Sequence, residues 1–326
     1  VVRTDTRVGN VLLTTPLLRA LRKGLPGARV DFLVAAGKQA LVQGLADRVL
    51  AFDKRDFFVS PLRFWRFLLR LRRERYDLVI EAGHWHAFSF TSLWLVHFTR
   101  APMRIGHRRG LSERFLTHPV EKDPAVEREV LSKLELLQPL GVAPDGERIE
   151  TTVDCDPEVG KAAERIVALA GPGPLVSLNP GARKPDHRWR PEAFGALAAR
   201  LKTECGASSL VLWGPGEEPI ARAVVESSRG AAVLAPATGL ELLAGVFRRS
   251  ALVVTNDTGP MHLAVATGTP VLAVMLAMDG PRWFHGGLFA GVPVRSGQEE
   301  EVAAVSEAAR ALLARSSTLT ARRQPV

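Results

Sequence analysis

The chain has 326 residues, room for two ordinary domains, and its 46% hydrophobic and 24% charged content is that of a soluble globular protein. No apolar run is long enough to span a bilayer, since the longest candidate, Phe88 to Phe98, is short and carries Ser, Thr and His. The net charge of +9 points to a polyanionic partner: an anionic membrane surface, a phosphorylated substrate, or nucleic acid, which ranks last because none of its usual binding motifs occurs. A merely solvated arginine-rich face is the plain alternative. Cys155 and Cys205 offer no metal or disulfide framework. With no signal-peptide pattern at the start, a reducing cytoplasm is the expected compartment.

Val1 to Pro16 reads as the tail of a strand, a loop around Gly9 and the start of a helix. Leu17, Leu18, Leu21 and Leu25 recur at helical spacing until Pro26-Gly27 stops them. Ala28–Ala36 and Asp47–Phe52 read as the next strands. Arg63 to Arg75 carries Phe64, Phe67, Leu68 and Leu71 on one helical face and arginine on the other. Two readings are open there: a core helix with a solvated basic face, or an interfacial helix lying on anionic lipid. A strand over Asp77–Ile80 ends in Glu81-Ala82-Gly83-His84. Helices follow over Phe88–Phe98 and Val126–Gly141. Ala143 to Pro157, rich in Pro, Gly and Asp and without periodicity, is the expected boundary between domains of 1–150 and 151–326.

The second half alternates regularly. Glu158–Ala170 is a helix broken by Gly171-Pro172-Gly173-Pro174. Strands at Leu175–Leu178, Ser209–Trp213 and near Ala232 alternate with helices at Pro191–Glu204, Glu218–Ser228 and around Leu240, Leu243 and Phe247. A buried strand, Leu252–Val254, turns polar at Asn256-Asp257-Thr258-Gly259, continues as a short helix over His262–Thr267, and returns as a second strand over Pro270–Leu276. A last helix is expected over Glu299–Ala314 and a disordered tail from about Ser316. This alternation implies parallel sheets, and two such halves make an α/β fold of two Rossmann-like domains facing across a cleft.

Ligands bind at the carboxyl ends of strands in open parallel sheets, so the loops there are the candidate sites. Asp257–His262 sets a helix N-terminus, which favours anions, beside Gly259, which admits a ligand close to the backbone. Asp257, Thr258 and His262 add polar side chains. The plain alternative is an N-cap at Asp257 or Thr258 and a satisfied half-buried His262. Asn179–Pro191 combines a turn at Gly181 with Arg183, Lys184 and Arg188 just before a helix, a set suited to a diphosphate; the alternative is a solvated basic loop.

The stretch Asn256-Asp257-Thr258-Gly259-Pro260-Met261-His262, with Gly268-Thr269-Pro270 behind it, resembles the carboxy-terminal signature of glycosyltransferase family 9, the lipopolysaccharide heptosyltransferases. Arg3, Asp5, Gly9, Thr14, Thr15 and Pro16 resemble that family's first loop, and Arg104-Ile105-Gly106-His107 its R-I-G-F segment. Asn179–Pro191 is similar to its P-G-A loop, with Arg188 and Trp189 in register and His187 where a lysine is usual. Trp213–Glu218 resembles its G-x-x-x-E, whose glutamate holds the donor ribose; Glu218 is the first choice and Glu217 the second, against a plain role as acids in the first turn of a helix.

The resemblance implies a GT-B fold and inverting, metal-independent sugar transfer with no cofactor. The implied donor is ADP-L-glycero-β-D-manno-heptose, held by Gly181, Arg183, Lys184, His187, Arg188, Glu218, Asp257, Thr258, Gly259 and His262. Asp279-Gly280-Pro281 is placed to close over it. The implied acceptor is the inner core of lipopolysaccharide, a glycolipid at the anionic cytoplasmic face of the inner membrane, met by Gly9, Glu81, His84 and Arg104. A monomer is expected, with no nucleic-acid partner. The aspartate that usually follows the glycine as general base is here Asn10, which cannot take a proton at neutral pH. Asn10 is left to hydrogen-bond the acceptor hydroxyl, and Asp5 is the substitute base, ahead of Glu81 and His84. Two other functions fit the same motifs: transfer from another nucleotide sugar, or nucleotide-sugar binding with the chemistry lost at Asn10.

Overall fold

The computed structural model describes residues 1–153, 156–276, 280–295 and 300–321. Cys155, Asp279, Glu299 and the tail from residue 322 lie outside the described residues. The chain divides into two compact units, Val1–Thr152 and Val153–Val326.

The first unit opens with β1 (Val2–Arg3), α1 (Val8–Leu12), α2 (Thr15–Gly24), β2 (Asp31–Ala35) and β3 (Arg48–Phe52). Two consecutive helices, α3 (Asp56–Val59) and α4 (Pro61–Arg73), lead to β4 (Leu78–Glu81). α5 (Phe90–Phe98), β5 (Met103–His107), β6 (His118–Val120) and α6 (Glu129–Glu135) complete it. The six strands pair in parallel in the order β3-β2-β1-β4-β5-β6. β1 is short but central: Val2 sits opposite Leu33 on one side and Glu81 on the other.

The second unit runs α7 (Pro157–Val167), β7 (Leu175–Asn179), α8 (Pro191–Cys205), β8 (Ser208–Val211), α9 (Glu218–Ser227) and β9 (Ala232–Leu234). It continues with α10 (Leu240–Arg248), β10 (Leu252–Asn256), α11 (Gly259–Ala266), β11 (Val271–Met275), β12 (Phe289–Pro293) and α12 (Glu300–Ala321). Its parallel order is β12-β11-β10-β7-β8-β9. β7, β10 and β11 are buried along their whole length, which is why they read as continuous apolar runs rather than alternating ones.

In each unit the chain lays its early strands to one side of the first strand and its later ones to the other. β1 and β4, and likewise β7 and β10, are therefore neighbours whose following connections diverge. Such a topological switch point leaves a crevice beyond the strands' carboxyl ends.

Several elements differ from the sequence expectation. The helix expected over Val126–Gly141 is the short α6 followed by one tight turn at Gln138–Leu140. β6 and β12 were not foreseen: both are edge strands, and Pro119, Gly291 and Pro293 hide the strand pattern there. The backbone of α12 stays helical to Ala321, past the point where a disordered tail was expected. Its Val305, Ala309 and Leu312 join the core around Trp189, Phe194, Leu197 and Leu201, which ties the helix to the sheet. Gly173, in the loop before β7, has φ +103, and a Cβ there would stand 2.2 Å from the Gly206 carbonyl oxygen, so only glycine fits.

Phe194 is fully buried in that core. Phe194→Ala is expected to destabilise the second unit by about 3–5 kcal/mol, read as a fall in its denaturant midpoint.

Candidate functional site

At the second unit's switch point the loop after β7 is fixed to the end of β10 by one buried side chain. Asn256 donates from Nδ2 to the Pro180 carbonyl (2.8 Å) and accepts at Oδ1 from the Trp189 backbone N–H (3.0 Å). Trp189 is fully buried and packs edge-on against Phe194, 5.0 Å between ring centres. Arg188 turns inward and donates from Nε to the Ala182 carbonyl at 2.6 Å. The loop is thereby closed at both ends while Arg183 and Lys184 stay exposed at its tip. Neither makes an ion pair among the described residues, so both cations are open to an anion.

α11 starts beside this loop. Thr258 is its N-cap residue, yet its hydroxyl does not cap the helix; it donates back to the Asn256 carbonyl at 3.3 Å. The N-cap alternative therefore fails for Thr258, and the helix end keeps its anion-favouring character. His262, one turn in, is buried, and its Nδ1 lies 2.8 Å from Nε2 of His285. Burial, and then the neighbouring His285, push its pKa well below the ordinary value, so the ring is neutral at physiological pH.

Of the two glutamates after β8, the structure brings Glu217 to the β7 loop and not Glu218. Glu217 accepts from the Gly214 N–H at 3.0 Å. Its carboxylate lies so close over Gly181 that a Cβ there would stand 2.0 Å from Oε2. Glu218, the first choice from sequence, opens α9 and pairs with Arg222 one turn on, the plain role of an acid in the first helical turn.

The first unit's switch point holds a cavity of about 790 Å³, lined among others by Arg3, Asp5, Arg7, Asp53, Arg55, Gly83, His84 and Ser89. Another, of about 440 Å³, lies at the amino ends of the strands around Val1, Asp31 and Tyr76, the end where such folds do not bind ligands. Beneath the first cavity runs a chain of buried charges. Arg3 donates from Nη1 to the Ala82 carbonyl (2.9 Å) and from Nη2 to Nε2 of His84 (2.7 Å). An arginine can only donate, so the His84 proton is on Nδ1, which donates to Glu129 at 2.6 Å. Lys133, one turn along α6, pairs with the same Glu129 oxygen and caps the Gly83 carbonyl. Burial lowers His84 to a pKa of about 4 and Lys133 to about 8. Burial alone would raise Glu129, but Lys133 and His84 hold it well below the carboxylate range.

Asp5 accepts at Oδ1 from the Arg7 N–H (2.8 Å) and has Oδ2 3.8 Å from Arg3. Its partial burial acts to raise its pKa, but the Arg7 N–H, Arg3 and Asn10 together bring it below the ordinary 3.8. The buried Asn10 Nδ2 faces Asp5, although it makes no hydrogen bond of regular geometry. Gly9 and Asn10 are buried in α1 and are not among the residues that line the cavity. Glu81 is fully buried and paired to Arg109 at 2.5 Å, and it too does not line the cavity. Arg104 is engaged by the carbonyls of Phe115 and Ala101, on the far side of β4 from β1. Of the expected acceptor residues His84 lines the cavity, as does Asp5, the expected base, while Gly9, Glu81 and Arg104 do not. Sequence reasoning missed Glu129, Lys133 and Arg109, which stand among other charged residues and so read as surface positions. It also passed over Asn256, although the residue stands inside the quoted motif.

His84, His86 and Glu129 bring potential ligand atoms within 4.8 Å of one another. Arg3 and Lys133 already bond to His84 and Glu129, and their positive charge opposes a further cation there.

Two parallel Rossmann-like units, each with its polar loops at the switch point, define the GT-B class of glycosyltransferase architecture. A solved glycosyltransferase family 9 protein from Veillonella parvula superposes with a TM-score of 0.81 at 23% identity, covering 96% of this chain and 97% of that one. The E. coli heptosyltransferase WaaC with ADP-2-deoxy-2-fluoro heptose superposes with a TM-score of 0.72 at 22% identity, covering 94% and 96%. Among curated proteins, lipopolysaccharide heptosyltransferase 3 of Escherichia coli K12 is 27% identical over 302 residues, 84% of this chain and 81% of the relative. The model of glycosyltransferase family 9 (heptosyltransferase) matches residues 64–283. The chain belongs to this family and is a glycosyltransferase.

Asn256→Ala leaves the Trp189 N–H and the Pro180 carbonyl without their buried partner. We expect a loss of about 2–4 kcal/mol in the second unit by chemical denaturation. His84 gives a pH dependence. Its folded pKa of about 4 lies below the ordinary 6.5, so the unfolded chain takes up the proton first. Stability is full above pH 6.5 and falls as pH drops from there towards 4. Thermal melts across that range should show the fall, and His84→Gln should lessen it, because an amide can accept from Arg3 and donate to Glu129 without titrating.

Proposed function

We propose that this glycosyltransferase moves a heptose from an ADP-heptose to the inner core of lipopolysaccharide, with inversion and without a metal. The donor diphosphate lies on the second unit, between the Arg183–Lys184 tip and the α11 N-terminus, and the acceptor lies in the first unit's cavity. The observation that carries this is the second switch point: two exposed cations without ion pairs beside a helix end whose cap residue leaves it open. Cations and helix N–H groups together stabilise the negative charge that builds on a departing diphosphate. The choice of ADP-heptose rests on relatives of this family that are heptosyltransferases, one of them solved with an ADP-heptose analogue.

In the reaction an acceptor hydroxyl oxygen attacks the anomeric carbon in line with the carbon–oxygen bond to the diphosphate. That bond breaks, ADP leaves with its electron pair, and the hydroxyl proton passes to the base. In-line displacement inverts the configuration. Asp5 is the base that the geometry supports. Of the alternatives, Glu81 is buried on Arg109 and His84 has Nε2 filled by Arg3. Because Asp5 is held below the ordinary carboxylate range, it takes the proton late, once the new bond has made the hydroxyl acidic. The cationic charge around His84 and Glu129 fits chemistry that relies on the protein's own groups. An acceptor at the cytoplasmic face of the inner membrane agrees with the net charge of +9, and no helix of the described residues is long and apolar enough to cross a membrane.

Calorimetric titration with ADP and UDP, followed by turnover with ADP-heptose, tests this. ADP is expected to bind selectively. Arg183→Ala with Lys184→Ala should weaken it by at least tenfold, the scale of one charged hydrogen bond or more. Asp5→Asn should lower kcat by roughly 10²–10⁴ with ADP affinity kept. Selective UDP binding would move the function to another nucleotide sugar. ADP binding without turnover in the parent protein would make it a nucleotide-sugar binder, the outcome that Asn10 in place of aspartate allows.

A further inference from the structure

The segment that leaves the first unit's cavity ends in an uncovered face that is both apolar and basic. Lys54 and Arg55 line the cavity, and α3 begins at the next residue and runs almost directly into α4. The side chains of α4 fall into three stripes at helical spacing. Phe64, Leu68 and Leu71 face the core. Leu62, Trp65 and Leu69 form a second stripe and are exposed. Arg63, Arg66, Arg70 and Arg73 form the third, beside it, and are exposed as well. A helix needs only one apolar stripe to pack, so the second has no role within the unit.

α3 enlarges this surface. Phe57 packs edge-on against Phe64 at 5.3 Å between ring centres and anchors the short helix to α4. Phe58 and Val59 are left 83% and 80% exposed. Apolar groups gathered in this way on a folded surface mark an interaction site. The charge identifies the partner. Arg66, Arg70 and Arg73 make no ion pair among the described residues, and Arg63 reaches only Asp56, at 3.8 Å. A second copy of the chain docked face to face would bring two arginine stripes together. An anionic bilayer meets both requirements: the apolar side chains enter the headgroup boundary and the guanidinium groups meet lipid phosphates.

We propose that the α3–α4 face, with Phe58, Val59, Leu62 and Trp65 at its centre and Arg66 and Arg70 on its flank, docks the protein on an anionic lipid surface. Its purpose rests on the acceptor reading above, because it would bring the head of a glycolipid to the cavity that begins at Lys54. The surface itself is read from exposure and charge alone.

Co-sedimentation with phosphatidylcholine vesicles, with and without phosphatidylglycerol, tests it. The protein is expected to bind the phosphatidylglycerol vesicles, weakly or not at all the neutral ones, and less as salt is added. Arg66→Gln with Arg70→Gln should lower partitioning about 25-fold, roughly fivefold for each cation. Phe58→Ser with Leu62→Ser should abolish it. All four side chains are exposed, so unchanged melting and unchanged ADP titration are the expected controls for the fold. Three results would overturn the proposal: no vesicle binding by the parent protein, binding that both double variants retain, or a dimer in solution that Phe58→Ser with Leu62→Ser dissociates. No ADP binding by the parent protein with vesicle binding present would remove the ADP-heptose reading and leave this surface standing.

Discussion

A parallel sheet that grows outward from its first strand in both directions has one place where neighbouring connections run apart. In this chain the candidate site loops lie at that place, once in each unit. β1 has only two residues, yet it carries Val2 between β2 and β4 and sets Arg3 at the mouth of the crevice. β10 does the same in the second unit, where Asn256 is its last residue and ties down the loop after β7. The placement follows from right-handed crossovers between parallel strands, which decide where loops can open before any loop residue is chosen.

The two crevices treat charge in opposite ways. In the second unit the cations Arg183 and Lys184 stand exposed at the tip of a braced loop. The bracing comes from Trp189, Asn256 and the inward-turned Arg188, and it leaves Arg183 and Lys184 out of any ion pair among the described residues. In the first unit the charges are internal. Arg3, Lys133, Glu81 and Glu129 are buried, the Arg109 side chain is largely covered beside them, and each carboxylate has a cation at 2.5 Å. Such a network contributes little net stability against an apolar core of the same shape, but it fixes the positions of its members firmly, because freeing any one of them leaves a buried charge. It holds the loops after β1 and β4 and α6 in one arrangement beneath the cavity.

Much of this was legible in the sequence. The second unit's strands are buried on both faces and so read as unbroken apolar runs, and its loops carry motifs with a direct physical purpose in glycine, cations and a helix start. What escaped had weaker local signals. β6 and β12 are edge strands containing proline, where the pattern of a strand is lost. Glu129 and Lys133 look like an ordinary surface pair at helical spacing, and only the fold reveals that both are fully buried. Choosing between Glu217 and Glu218 required knowing which of two adjacent residues turns towards Gly181, a matter of helix phase at the first residue of α9. Boundaries of that kind are set by tertiary contact rather than by composition.

The departure at Asn10 is best understood through the same charge balance. With His84 neutral, the buried set beneath the cavity holds three cations and two carboxylates, one positive charge in excess. Asp5, 3.8 Å from Arg3, is the anion that offsets it, which is one reason its proton is held so loosely. A second carboxylate at position 10, buried in α1 within reach of Asp5, would place two negative charges against that single excess cation and raise the pKa of one of them. Asparagine avoids the repulsion. On this electrostatic ground Asn10 and Asp5 form a matched pair: the amide leaves Asp5 as the one carboxylate of its loop, at the edge of the cavity.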